Sequence, residues 1–401
     1  MSENFHPVAL PKLLVSTLSE IRGNQFHGIP RSLFYIPRED DPFGFERYGR
    51  TLKTPVGVAA GPHTQLALNI VAAWLCGARY IELKTIQTLD ELNVSKPCID
   101  MQDEGYNCEW SQELKVKESF TEYLNAWILI HILHKEMNFS GPVGTLFNMS
   151  VGYNLEGIMK DNVQWFFARM QDCSKELAHA KDAIRHIYPV IDQVEIPSLI
   201  SDHVTLSTMH GCPPDEIEKI GLYLIRQKKL HTTIKLNPTL LGAENLREIL
   251  GQKLGFATEV PEIAFEHDLK YSDALKILDS LQVASTEFGL QFGVKLTNTL
   301  ESLNNKDVFG SSEPMMYMSG RALHPISVAV AAKLQNDSNG TLDISFSAGV
   351  DCFNIAEVLA CGMKPVTVCS DLLKPGGYGR LHQYIENIRT AFAKYQCTSL
   401  V

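Results

Sequence analysis

From about residue 51 onward, short apolar runs alternate with stretches of helical periodicity. Eight runs read as strands: Val56–Ala60, Tyr80–Lys84, Gly144–Asn148, Gln193–Ile196, Thr233–Leu236, Phe292–Thr297, Asp343–Ser347 and Pro365–Cys369. Between them, Leu68–Cys76, Asn162–His186, Asp215–Lys228, Tyr271–Glu287, Pro325–Leu334 and Asn354–Cys361 place apolar residues at helical spacing. Asp215 and Glu216, directly after Pro213 and Pro214, suit the positive end of a helix. Strand followed by helix, repeated, marks βα units around a parallel sheet. Eight such units predict a closed (β/α)₈ TIM barrel in preference to an open doubly wound sheet.

Residues 1–50 read as an irregular N-terminal arm packed on this body, because Phe34, Tyr35, Phe43 and Phe45 are costly to expose. Residues 51–401 then form one domain with two long insertions, about 86–138 and 239–269. The first holds a polar, cysteine-containing loop and an amphipathic helix near Leu124–Leu133; the second is rich in glycine. Insertions of this length act as lids or as contact surfaces, here between two copies of the chain in a homodimer.

Composition narrows the partners. Lysine and arginine number 36 against 46 aspartate and glutamate, a formal net charge of −10. No basic stripe exists to neutralise phosphates, which argues against nucleic acid and anionic membranes. An anionic ligand would need local positive charge, so buried lysines gain interest. The nine cysteines are scattered without a C-x-x-C pair, so iron–sulfur and zinc-finger patterns are absent and no metal site is expected. Scattered thiols suit a reducing compartment. The N-terminus lacks a basic region followed by an apolar one, and the apolar stretch at Ala126–Leu133 is too short to span a bilayer. The expected location is the cytoplasm.

Residues just past the C-terminal ends of barrel strands line active sites. Those positions hold Ala59 and Ala60, then Lys84 and Thr85, Asn148 followed by Asn154, Lys235 followed by Asn237, and Thr297, Asn298 and Thr299. Two lysines and several amides facing one mouth suit a planar heterocycle, the amides meeting ring N–H and C=O edges and a lysine offsetting negative charge. Asparagines at strand ends also satisfy turns, which explains any one of them alone. After the last two strands come Ala348 and Gly349, then Cys369 and Ser370, small residues where barrels bind phosphate. Gly320, beside Ser319, is a further position of close backbone approach.

Taken in order, TPVGVAAG, IELKT, IKLNP, TNT, SGRALHP, FSAGVD and VTVCSD resemble the strand-end motifs of the FMN-binding barrels of the dihydroorotate dehydrogenase and dihydropyrimidine dehydrogenase superfamily. They span roughly residues 54–373. GPHTQLALNIVAAWL and TLSTMHGCPPDEIE look more narrowly like the FMN domain of the selenate reductase subunit family. The resemblance implies FMN, with Ala59, Ala60, Lys84, Thr85 and Asn148 at the flavin and Lys235 beside its N1/O2 edge. It implies Thr297 and Asn298 between flavin and substrate, and Ser319, Gly320, Ala348, Gly349, Cys369 and Ser370 around the ribityl phosphate. Asn154, Asn237, Asn298 and Thr299 would meet a small polar heterocycle.

One segment departs. Family members carry an N-L-S-C-P-like stretch after strand four, whose Cys or Ser is the acid/base opposite the flavin. Here the run Glu195–Ser201 continues without that asparagine. Cys212 stands as the relocated acid, its thiolate favoured by a helix N-terminus, with Ser201 as the alternative and His210 as a proton relay. The chain also has no G-x-G-x-x-G after a strand and no cysteine cluster. Either it is a fragment, or its electrons come through a partner subunit or domain bearing iron–sulfur, FAD or NAD(P)H. Three readings follow: an FMN-dependent oxidoreductase acting on a C–C or C–N bond of a cyclic, pyrimidine- or purine-like amide; an FMN electron-relay subunit; and a flavin-free lyase or aldolase using Lys84 or Lys235 as a Schiff base.

Overall fold

Eight short strands, buried along most of their length, are β1 (Val56–Val58), β2 (Tyr80–Glu82), β3 (Leu146–Val151), β4 (His203–Ser207), β5 (His231–Leu236), β6 (Phe292–Leu296), β7 (Ile344–Phe346) and β8 (Val366–Val368). Each pairs in parallel with its sequence neighbours, and β8 pairs with β1, so the sheet closes into a barrel. The computed structural model describes residues 6–400 apart from 39, 87, 90–97, 103, 109–112, 153, 208–209, 306–307 and 311–312. Helices cover the outer face, which is why most strands read as near-continuous apolar runs. At Gly57 a Cβ would lie 2.1 Å from the Tyr80 carbonyl oxygen, so only glycine allows β1 and β2 to approach this closely.

Seven predicted strands fall on the barrel. The fourth does not: Gln193–Ile196 is a short turn and loop, and β4 lies at His203–Ser207. Pro197 cannot donate to a ladder, whereas His203–Ser207 pairs with both β3 and β5. The true strand was hidden because its inward positions, His203, Thr205 and Ser207, are polar. The third strand also runs three residues beyond its predicted end. The predicted helix Asn162–His186 is two helices, Asp161–Gln171 and Ser174–Ile184, and a final helix, Leu381–Tyr395, had no counterpart in the prediction.

The N-terminal arm is more ordered than its composition suggests. It contains the helix Leu10–Arg22, and its end is a hairpin, Phe45–Arg47 with Arg50–Leu52, that crosses the predicted boundary at residue 50. The hairpin seals the N-terminal end of the barrel. The Tyr48 ring stacks on His203 (4.6 Å) and His231 (4.8 Å), and its hydroxyl meets Thr233 Oγ1 at 3.1 Å. Arg47 donates to Asp343 at 2.9 Å and to the Lys364 carbonyl at 3.3 Å. Burial pushes the His203 imidazole well below its ordinary value, so the stack is neutral.

The first insertion forms the hairpin Ile99–Met101/Gly105–Asn107 and the long helix Val116–Glu136. That hairpin joins Leu300–Leu303 and Met315–Ser319 in a four-stranded antiparallel sheet beside the C-terminal mouth. The second insertion folds into short helical turns between Pro238 and His267. Among the described residues, no helix is long and apolar enough to cross a membrane.

Tyr48 fills the barrel floor, so Tyr48→Ala is expected to cost about 3 kcal/mol of stability. Urea unfolding checks this; a loss below about 1 kcal/mol would show that the hairpin does not hold the floor.

Candidate active site

A cavity of about 240 Å³ opens where the strands end at their C-termini. One water needs roughly 10–15 Å³, so this is a ligand-sized space and not a packing void. Its wall takes Ala59 and Ala60 after β1, Lys84 and Thr85 after β2, Ser207 from β4, and Lys235 from β5. Thr297, Asn298 and Thr299 follow β6, Gly349 follows β7, and Cys369 and Ser370 follow β8. The four-stranded sheet adds Tyr106, Tyr317 and Ser319.

The electrostatics are lopsided. Burial lowers the Lys235 ammonium to about 8. Burial also pushes Lys84 down, against the pull of Glu113 and helped by the charge on Lys235. Lys295, the register partner of Lys235, is buried and turned onto the equally buried Glu82. Glu82 therefore pairs with Lys295 and not with Lys84, whose ammonium has no hydrogen-bond or ion-pair partner among the described residues. Two further groups stay neutral: burial pushes the Cys369 thiol up to about 11 and the His63 imidazole down to about 4. The mouth thus carries cationic side chains in a chain of net charge −10.

At one end of the cavity the loops crowd together. The Ser319 and Ser370 hydroxyls lie 2.8 Å apart, and Ser319 Oγ donates to the Gly105 carbonyl at 3.3 Å. Gly349 has φ +56°, and a Cβ there would sit 2.4 Å from the Gly320 carbonyl oxygen. Near the opposite wall, Asn298 Nδ2 donates to Asn237 Oδ1 at 2.7 Å, which orients the Asn298 amide. His63 Nε2 and Thr367 Oγ1, on cavity-lining residues, are buried without a hydrogen-bond partner among the described residues.

Several sequence candidates lie elsewhere. Ser201 precedes β4, at the floor end, and its hydroxyl bonds the His203 carbonyl. Cys212 does not line the cavity, and burial followed by the charges of Glu216 and Asp215 pushes its thiol up to about 11, which disfavours the thiolate. Both assignments followed from placing strand four ten residues early. Asn148 points into the barrel, bonding Thr205 at 2.7 Å and His203 at 2.9 Å. Asn154 is exposed and caps the turn Leu155–Ile158; Tyr153, which precedes it, lies outside the described residues. Ala348 is buried behind Gly349, and Asn237 reaches the cavity only through Asn298. His210 does line the wall, with its Nδ1 3.2 Å from Asp268.

Ser207, Lys295, His63, Tyr317 and Asp268 had not been singled out. Two-residue alternation in Gly293, Lys295 and Thr297 was a usable signal for Lys295, matching Thr233 and Lys235 on the adjacent strand. Asp268 gave none, because its role depends on a contact 58 residues away.

A closed parallel barrel with a cationic cavity at its C-terminal mouth defines a TIM-barrel protein with its site where that fold places chemistry. The chain belongs to the family described as oxidoreductase YgfK, N-terminal TIM-barrel domain, whose model matches residues 27–400. It is 44% identical over 403 residues to the proteins called YgfK in Escherichia coli strains K12 and O157:H7, covering 95% of this chain and 39% of theirs. It therefore spans about two fifths of the length of the curated relatives it matches. Its fold is similar to that of a ligand-free DHODH from Eimeria tenella, at TM-score 0.58 and 14% identity over 97% of both chains. It is also similar to a DHODH from that organism in complex with ferulenol, at TM-score 0.57 and 16% identity over 100% of this chain and 95% of the other.

Gly349→Ala is expected to lower stability by at least about 1 kcal/mol, since it adds a Cβ at positive φ against a carbonyl. A melting temperature equal to that of the parent would show that the loop has room.

Proposed function

We propose that this chain binds FMN and is the flavin module of an oxidoreductase acting on a small cyclic amide-type heterocycle. The observation that carries the reading is the pairing of a cationic barrel mouth with a crowded glycine–serine cradle after β7 and β8. An anion fits this mouth, because Glu82 is committed to Lys295 while Lys84 and Lys235 face the cavity. The cradle at Ser319, Gly320, Gly349 and Ser370 would hold a phosphate, and Ala59 and Ala60 leave room for a flat ring. The unpartnered His63 Nε2 and Thr367 Oγ1 invite polar ligand edges. FMN, when bound, would supply hydride exchange.

The chain's own side chains would do the rest. Lys235 places positive charge beside the ring, and Asn298, steadied by Asn237, with Thr299 would orient an amide-bearing substrate. The strand β4 ends at Ser207, which lines the cavity. Ser207 is then the group that handles the proton. Its Oγ lies 3.3 Å from Ser150 Oγ, itself 2.8 Å from Thr85 Oγ1, a hydroxyl chain that leads along the cavity wall. Electrons would enter or leave through another domain or subunit, in keeping with the greater length of the relatives.

One observation favours a second reading. A lysine held at about 8 by burial, like Lys235, is also suited to Schiff-base chemistry without flavin. The absorbance spectrum of the purified protein separates the two. A yellow chromophore released on denaturation supports FMN; its absence, with borohydride trapping of a carbonyl compound on Lys235, supports the lyase.

Because Lys235 is near 8 when the site is empty and an anion raises it, FMN binding takes up a proton above that pH. Affinity is therefore expected to be flat below about pH 8 and to weaken above it. Lys235→Met should cost roughly 2–4 kcal/mol of flavin affinity or transition-state stabilisation and flatten the pH profile. Fluorescence titration from pH 7 to 9 reads both, and identical curves for the two proteins would remove Lys235 from the site.

Ser207→Ala is expected to keep flavin bound while slowing substrate-dependent reoxidation of reduced enzyme by about 100-fold or more. Unchanged turnover would move the proton to another group.

A further inference from the structure

Nothing in the spacing of histidines and cysteines along the chain marks a metal site, yet the fold assembles a ligand set beside the cavity. We propose that His210, His267 and Glu301 bind one divalent transition-metal ion at the cavity wall. His210 sits in the turn after β4, His267 ends the helix Glu262–His267, and Glu301 lies in the strand Leu300–Leu303. One ligand atom from each lies within 4.8 Å of the other two. His267 Nε2 and Glu301 Oε2 are 2.8 Å apart, as close as two ligands of a single ion stand.

The donor chemistry selects the ion. Two imidazoles and one carboxylate suit zinc or ferrous iron, whereas calcium and magnesium favour oxygen alone. Glu301 is buried and His210 nearly so, and the cluster draws on three separate segments of the chain.

A second layer supports the first. Asp268 is buried and accepts from His210 Nδ1 (3.2 Å), from Thr239 Oγ1 (2.7 Å) and from the Gly211 N–H (3.3 Å). A carboxylate behind an imidazole is the usual means by which proteins orient a metal-binding histidine. Three protein ligands leave a position open. His210 lines the cavity beside the Tyr317 ring, at 5.3 Å, so that position is available to a carbonyl or carboxylate oxygen of the ligand held there. The site does not depend on the flavin reading.

The test uses the full chain, stripped with EDTA and dialysed against Zn²⁺, with metal and flavin counted separately. About one zinc per chain is expected in the parent. His267→Gln and Glu301→Gln should each lose most of it with flavin content unchanged, and Asp268→Asn should weaken zinc affinity about 10–100-fold. Circular dichroism confirms that the variants are folded. If the parent retains no more zinc than the His267→Gln/Glu301→Gln double variant, the three residues form a hydrogen-bonded bridge only and the proposal falls. Flavin content reports separately on the proposed function, so the two readings fail independently.

Discussion

The buried Glu82–Lys295 pair is the constraint on which the site depends. The two groups reach each other from β2 and β6, across the interior of the barrel, with almost no access to solvent. Removing one partner of such a pair strands a charge in a poorly solvated place, at a cost of about 3–5 kcal/mol. Glu82 also accepts the Ala60 N–H at 3.3 Å, so the pair ties the interior to the backbone that lines the cavity. Glu82 is committed to Lys295, while Lys84 and Lys235 line the cavity.

A polar interior also explains the hairpin at the floor. Asn148, His203 and Thr205 satisfy one another, and an apolar plug would leave the Thr233 hydroxyl without the Tyr48 bond. Tyr48 and Arg47 close the end instead, offering a ring to the histidines, a hydroxyl bonded to Thr233, and donors to Asp343 and the Lys364 carbonyl. Floor and mouth are thus two ends of one polar column, and the hydrophobic core lies outside it, between strands and helices.

The two insertions have different tasks. The first contributes a hairpin to the sheet beside the mouth and brings Gly105 against Ser319. The second brings Asp268 and His267 beside His210 and Glu301. Neither insertion has strand-end periodicity, yet the first lines the cavity with Gly105 and Tyr106, and the second backs His210, which lines it too.

The eightfold alternation of apolar runs and helical segments determined the barrel, because strand and helix periods are local properties of the chain. The glycines and small residues after β7 and β8, and Lys84 and Lys235 at strand ends, were legible for the same reason: a βα unit fixes which positions face the mouth. Strand four was misread because its inward residues are polar, and polarity along a strand looks like a loop until a partner satisfies it. That single shift hid Ser207, which lines the cavity, and drew attention to Cys212 and Ser201, which do not. Which carboxylate pairs with which lysine, and which histidines meet Asp268 and Glu301, was decided only by tertiary structure. Those contacts join residues 213 and 34 positions apart or more, and ion pairing depends on distance in space, which sequence spacing does not encode.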